Sequence, residues 1–275
     1  MVTQSKIENP KLPLPNPESR TPKPLSFTVL GVRVHAVQIP AVVGDMEQWI
    51  AQRAGSHFVT VTNVHSVMEA HRDVGFREVL NAADLSVADG MPLVWLGRLK
   101  GYGMKRRVYG PDLLLDFCRA TRAKDYGHFF YGGSAGVPER LADALIQHCP
   151  RLRVVGTYSP PFRPLTPGED REAVEMINQA APDVLWVGLG CPKQERWMFE
   201  HRHRLNVPVI VGVGAAFDFY TGRVAQASRW MREHGLEWLF RLYQEPRRLW
   251  RRYLIYNTQF VYYVCLELTG LRRFD

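Results

Sequence analysis

Four short stretches of this 275-residue chain hold side chains suited to group-transfer chemistry. In Ala88-Asp89-Gly90-Met91-Pro92 a carboxylate sits on a sharp turn after an apolar run. That placement suits a general base, and it also suits a cap on the following helix. Gly132, Gly133 and Gly136 precede a helical stretch, where bare backbone would let a diphosphate approach the N–H groups of a helix N-terminus. Glycines of this kind are also common in plain turns. In Gly188-Leu-Gly-Cys-Pro-Lys-Gln-Glu195, Lys193 and Gln194 open another helix. An amide there could hold sugar hydroxyls and an ammonium could meet phosphate, or both could belong to an ordinary surface helix start. Over residues 236–253, Arg241, Arg247, Arg248, Arg251 and Arg252 are interleaved with Trp238, Phe240, Tyr243, Trp250 and Tyr253. Arginine forks fit phosphate oxygens and large aromatics fit a water–lipid boundary, so the segment suits an anionic ligand at a membrane surface. The plainer alternative is a solvated basic helix with a few core aromatics.

His65, His201 and His203 stand in no H-E-x-x-H run or carboxylate cluster, and they read as structural or solvated. No D-x-D pair is present to hold a nucleotide-bound cation. No metal site and no cofactor is expected, and the chemistry is expected to be metal-independent.

These residues need a scaffold, and the pattern between them supplies one. Short β-rich runs at 28–37, 58–62, 85–88, 128–132, 153–157, 184–188 and 209–213 alternate with helical stretches at 46–53, 66–82, 92–99, 112–123, 138–148, 169–180 and 194–204. That alternation predicts an α/β fold, a mostly parallel sheet with helices on both faces. Its ligand site belongs at the carboxyl ends of the strands, where the loops above fall. A net charge of +8 favours anionic partners. The basic excess sits in the aromatic tail with no recognisable nucleic-acid-reading module, which argues against DNA. Four scattered cysteines form no C-x-x-C pair and suggest neither zinc nor a disulfide framework. Residues 1–24 contain six prolines and almost no large apolar residues, and they read as a disordered leader without a signal-peptide pattern. Residues 253–268 are apolar and aromatic but interrupted by Asn257, Thr258, Gln259 and Glu267, which fits a helix lying in the membrane interface better than one spanning it.

Taken in order, the loops resemble the WecG/TagA/CpsF family of bacterial glycosyltransferases over about residues 27–253. The likeness is carried by the Asn63 loop, the 80–90 run ending in Asp89-Gly90, Arg107-Val-Tyr-Gly-Pro-Asp112, Gly188 to Glu195, Gly212-Val-Gly-Ala-Ala-Phe-Asp218, and 237–251. The resemblance implies a Rossmann-like catalytic domain over 25–235 and a membrane-associating helical appendage over 236–275. It implies transfer of a sugar from a UDP-sugar to a polyprenyl-pyrophosphate-linked saccharide, at the inner face of the cytoplasmic membrane, in bacterial cell-surface polysaccharide biosynthesis. Asp89 would be the general base, with Asn63 and Gln194 beside it and Gln194 in the sugar site. Gly132, Gly133, Gly188, Gly190 and Lys193 would hold the donor. Arg241, Arg248 and Arg251 would bind the acceptor's pyrophosphate. Many members carry a threonine two residues before the asparagine, where this chain has Val61; Thr60 and Thr62 would face the other side of the strand. This leaves the donor sugar open.

No side-chain nucleophile with a paired base is evident, which favours a single inverting displacement. Two rivals remain: a nicotinamide-dependent oxidoreductase, for which the G-x-G-x-x-G fingerprint is missing, and a non-catalytic membrane-associated nucleotide-sugar-binding protein. Oligomeric state is left open, a homo-oligomer included.

Overall fold

A computed structural model describes residues 24–222 and 224–274, except the side chains of Arg248 and Arg252. The expected leader, apart from Pro24, lies outside the described residues.

Eight strands form one sheet: β1 (Ser26–Val29), β2 (Val32–His35), β3 (His57–Thr62), β4 (Leu85–Ala88), β5 (Gly127–Gly132), β6 (Arg153–Tyr158), β7 (Val184–Gly188) and β8 (Val209–Gly212). They lie in the order β1-β2-β4-β3-β8-β7-β5-β6. Only β1 and β2 pair antiparallel, and the other neighbours are parallel. The helices are α1 (Ile39–Gln52), α2 (Val64–Arg72), α3 (Val74–Asn81), α4 (Met91–Leu99), α5 (Gly110–Ala120), α6 (Val137–His148), α7 (Pro167–Ala180), α8 (Lys193–His201), α9 (Ala216–Tyr220) and α10 (Arg229–Glu233). Then come α11 (Glu237–Gln244), α12 (Pro246–Trp250), a π-helical turn at Arg251–Ile255, and α13 (Tyr256–Leu268). Proline sits in the first turn of α1, α4, α5, α6, α7 and α12, where its missing N–H costs no hydrogen bond.

The strands inside the edges are buried on both faces, and side-chain alternation sorts them into two layers. Val59, Val61, Val87, Trp186 and Val211 pack with α1, α5, α6 and α9. Phe58, Leu185, Val187 and Ile210 pack with α7 and α8 on the other side. The chain leaves β5 outward to β6 but leaves β7 inward to β8, so its direction reverses between the adjacent strands β5 and β7. A ligand crevice belongs at that reversal, and Gly132 pairs with Gly188 there.

Two elements differ from the sequence expectation. The single strand expected over 28–37 is a hairpin, because Leu30 (φ 50°) and Gly31 (φ 78°) both adopt left-handed backbone. A two-residue loop of that kind matches the twist of its flanking strands. Asn81 holds the turn, donating to the Gly31 carbonyl at 2.9 Å and accepting from the Arg33 N–H at 2.8 Å. The helix expected over 66–82 is broken at Asp73, whose extended backbone (φ −130°) ends α2 while its carboxylate accepts from the Phe76 N–H at 3.0 Å and caps α3.

The C-terminal helices dock on the same body. Phe260 and Val264 of α13 are buried with the β1–β2 hairpin and α2–α4. The Tyr256 hydroxyl donates to Glu69 at 2.8 Å, and Arg72 lies over the Tyr256 ring. Among the described residues, no helix is long and apolar enough to cross a membrane.

Candidate active site

Asp89 follows β4 directly, and its N–H donates to the Thr62 carbonyl at 2.8 Å. It does not cap α4; that position belongs to Gly90, with no side-chain cap bond. Asn63 caps α2 by accepting from the Ser66 N–H at 3.2 Å, and its side chain also hydrogen-bonds the Asp89 carboxyl. Asp89 Oδ1 is buried and has no hydrogen-bond partner among the described residues. Burial pushes the Asp89 pKa up to about 6, helped by the negative charge of Glu237 and opposed by Arg107, the Asn63 hydrogen bond and Arg241. A carboxyl group tuned to that range can take up a proton near neutral pH.

Beneath it lies a buried ion-pair network. Arg107 donates through Nη1 to the Asp89 backbone carbonyl at 3.2 Å, and through Nη2 it pairs with Glu237 of α11. The other Glu237 oxygen accepts from the Tyr109 hydroxyl at 3.0 Å, and Arg107 stacks 4.1 Å from the centre of the Tyr109 ring. Burial would favour discharging Arg107, but Asp89 and Glu237 hold its pKa above the usual value.

A cavity of about 710 Å³ opens at the carboxyl ends of the strands. Gly133, Gly188, Gly190, Lys193 and Gln194 line it, as do Val61 and Asn63. Gly132 does not line it: a Cβ there would fall 2.5 Å from the Gly188 carbonyl oxygen, so this glycine lets β5 and β7 close together. A Cβ on Gly188 would in turn meet the Phe217 ring at 2.6 Å. The Gly133 N–H donates to the Gly188 carbonyl at 3.0 Å and is therefore engaged within the strand ends. Gln194 is buried, its Nε2 donates to Glu195 at 2.8 Å, and its Oε1 has no partner among the described residues. Lys193 is exposed at the rim, with its ammonium 5.3 Å from the centre of the Phe162 ring.

A second cavity of about 600 Å³ lies between α4 and the C-terminal helices. Its walls are largely apolar and include Trp95, Leu99, Trp238, Phe260 and Val261. Asn63, Asp89, Glu237 and Arg241 line both cavities. Arg241 thus lies close enough to influence Asp89, with a buried Nε that has no hydrogen-bond partner among the described residues and its guanidinium 5.6 Å from the centre of the Phe219 ring. Arg251 does not enter either cavity; it is exposed and lies 5.2 Å from the Trp250 ring centre. The Arg248 side chain lies outside the described residues.

Sequence reasoning singled out neither Glu237 nor Tyr109. Both stand in the runs that carry the resemblance, but nothing in either run announces that they meet. His201 accounts for itself structurally, bonding Asp170 at 2.7 Å and the Trp197 carbonyl at 2.8 Å. His65 stacks on Tyr256, and His203 is exposed. Among the described residues no group of three or more His, Cys, Asp or Glu side chains is placed to hold a metal ion.

The profile described as Glycosyl transferase WecG/TagA/CpsF family matches residues 27–274. A protein of Bacillus subtilis (strain 168) named N-acetylglucosaminyldiphosphoundecaprenol N-acetyl-beta-D-mannosaminyltransferase is 30% identical over 209 residues, covering 76% of this chain and 78% of its own. A protein of the same name from Bacillus spizizenii is 29% identical over 217 residues, covering 79% and 82%. Another, from Staphylococcus aureus (strain MW2), is 25% identical over 224 residues, covering 81% and 86%. With its parallel sheet, its strand-end crevice and a match that spans both the sheet and the C-terminal helices, the chain belongs to the WecG/TagA/CpsF family and is a glycosyltransferase.

Proposed function

We propose that the chain transfers an N-acetylhexosamine from a UDP-sugar to a polyprenyl-pyrophosphate-linked saccharide in one inverting, metal-independent step. The observation that carries this reading is that Asp89 forms part of the wall between a polar, glycine-lined cavity and an apolar one. The first suits a nucleotide sugar and the second a lipid-linked acceptor. The relatives' names specify an undecaprenyl-diphosphate-linked acceptor and an N-acetylmannosaminyl group, which supports the same pairing of substrates.

In this reading an acceptor hydroxyl enters from the apolar side, and its oxygen attacks the anomeric carbon of the donor. Asp89 takes the hydroxyl proton as the carbon–oxygen bond to UDP breaks, and UDP leaves with the electron pair. The N-termini of α6 and α8 face the departing diphosphate. Gln194, through an Oε1 that has no hydrogen-bond partner among the described residues, holds a sugar hydroxyl or amide. Arg241 meets the acceptor's pyrophosphate, with Arg248 and Arg251 assigned the same role once substrate and membrane are in place. Val61 gives the donor cavity an apolar wall where many relatives carry threonine, so the donor sugar has to be found by trial.

The exposed Tyr243, Trp250, Leu254, Val261 and Tyr262 would rest on the cytoplasmic face of the membrane, so that 236–275 serves as a peripheral membrane-associating unit. The test is UDP release across a panel of UDP-sugars with a polyprenyl-pyrophosphate-linked acceptor. One sugar should support turnover, and Asp89→Asn should cut its rate by roughly 10²–10⁴-fold. Full activity in that variant would remove Asp89 from the mechanism. Thermal stabilisation by NAD and not by UDP would overturn the donor assignment.

A further inference from the structure

Asp89 has a competitor problem that Glu237 solves. A buried guanidinium beside a carboxylate normally pairs with it, and a carboxylate held in a bidentate fork is a poor base. Arg107 gives one arm of its fork to the backbone carbonyl of Asp89 and the other to Glu237, and the Asp89 Oδ1 has no hydrogen-bond partner among the described residues. Tyr109 fixes the other Glu237 oxygen at 3.0 Å, and Gln226 holds the Tyr109 hydroxyl at 3.2 Å, so Glu237 is anchored on both sides. Glu237 comes from α11, in the C-terminal helices, whereas Asp89 and Arg107 belong to the sheet body.

We propose that Glu237 is a positioning residue for the reaction: by occupying Arg107 it keeps that guanidinium off the Asp89 carboxylate, so that the base is competent only while the C-terminal helices are docked. The proposal rests on the reading of Asp89 as the base. The groups that bear on Asp89 are Arg107 from the loop before α5, Glu237 and Arg241 from α11, and the Asn63 amide at the start of α2. His65 and His234 line the same apolar cavity, so the informative quantity is the change on substitution and not the absolute profile. The negative charge of Glu237 raises the Asp89 pKa and the Arg107 charge lowers it. Removing Glu237 both deletes the first influence and frees Arg107 to strengthen the second.

The experiment is the pH profile of kcat/KM, followed by UDP release, for the full chain with Glu237→Gln, and for the pair Glu237→Gln with Arg107→Met. Glu237→Gln should move the acid limb down by about one pH unit and lower kcat/KM at its optimum by roughly 10-fold or more, because the freed guanidinium pairs with Asp89. Adding Arg107→Met removes that partner and should return the limb to or above its original position, with part of the rate restored. A folded Glu237→Gln protein whose limb stays in place, even with a lower rate, would overturn the proposal and leave Glu237 a merely structural residue. If Glu237→Gln alone unfolds, the double variant decides: a limb at or above the original position supports the proposal, and a lower limb sinks it. Asp89→Asn run alongside separates the two claims. If that variant stays active, the base assignment itself is wrong; if it is inactive while the Glu237→Gln limb is unmoved, only the present inference fails.

Discussion

A carboxyl group poised to accept a proton is expensive to bury, and Asp89 carries that cost in the folded state. Its pKa is raised to about 6, above that of an unfolded aspartate, mainly by burial. The charged form is therefore disfavoured by folding: the penalty is absent where the group is protonated in both states, grows as pH rises through the unfolded value, and is complete above about 6. Asp89→Asn should raise Tm by roughly 2–4 °C at pH 7.5, as a gain of about 1 kcal/mol does for a domain of this size, and the gain should fade as pH falls toward 4. Differential scanning calorimetry at several pH values checks this, and a variant less stable at every pH would contradict it. The strand-end placement of Asp89 and Gln194 was legible in the sequence because one stands between an apolar strand and a helix and the other in the first turn of the helix after such a strand, positions that point to the ligand edge of a parallel sheet. Glu237 and Tyr109 were not, since a buried ion pair joins residues whose local surroundings say nothing of each other. For Arg251 the resemblance implies an anion site shared with Arg241; in the structure its side chain is exposed beside Trp250.

At the scale of elements, the donor cavity depends on how closely β5 and β7 approach at their ends. Gly188 is a close point there that a substitution can probe without the positive φ of Gly132, because an added methyl would press on the Phe217 ring. Gly188→Ala should cost about 1–3 kcal/mol of stability, the usual penalty for overpacking a filled core. It should also weaken UDP binding, since relief requires the strand end or Phe217 to move into the cavity. Urea unfolding and UDP titration together test this, and an unperturbed variant would mean the contact relaxes freely. The alternation of strands and helices was readable because Val/Ile/Leu runs and proline-led helix starts are local signals. The β1–β2 hairpin escaped notice because Leu30 takes a left-handed conformation that its type does not advertise. The break at Asp73 was hidden for a related reason: an aspartate at helical spacing reads equally well as a surface residue or as a cap.

For the molecule as a whole, the C-terminal helices serve two ends at once. They wall the apolar cavity with Trp238, Phe260 and Val261, and they bring the charges of Glu237 and Arg241 to bear on Asp89. Deleting the chain after Gly235 should therefore abolish UDP release with the lipid-linked acceptor and also abolish sedimentation with anionic vesicles, while UDP binding persists. Undiminished vesicle binding by that truncation would show that the membrane contact lies elsewhere. The arrangement also sets an order in time. All eight strands, and Gly133, Gly188, Gly190, Lys193 and Gln194 of the first cavity, precede Glu237 in the chain, so a ribosome releases them first. A nascent protein passes through a stage in which the strand ends are in place while Glu237 and Arg241 have yet to line the first cavity and Arg107 has no tail carboxylate to hold. On the role proposed for Glu237, a chain that stops before α11 would hold most of the first cavity and still lack a competent base.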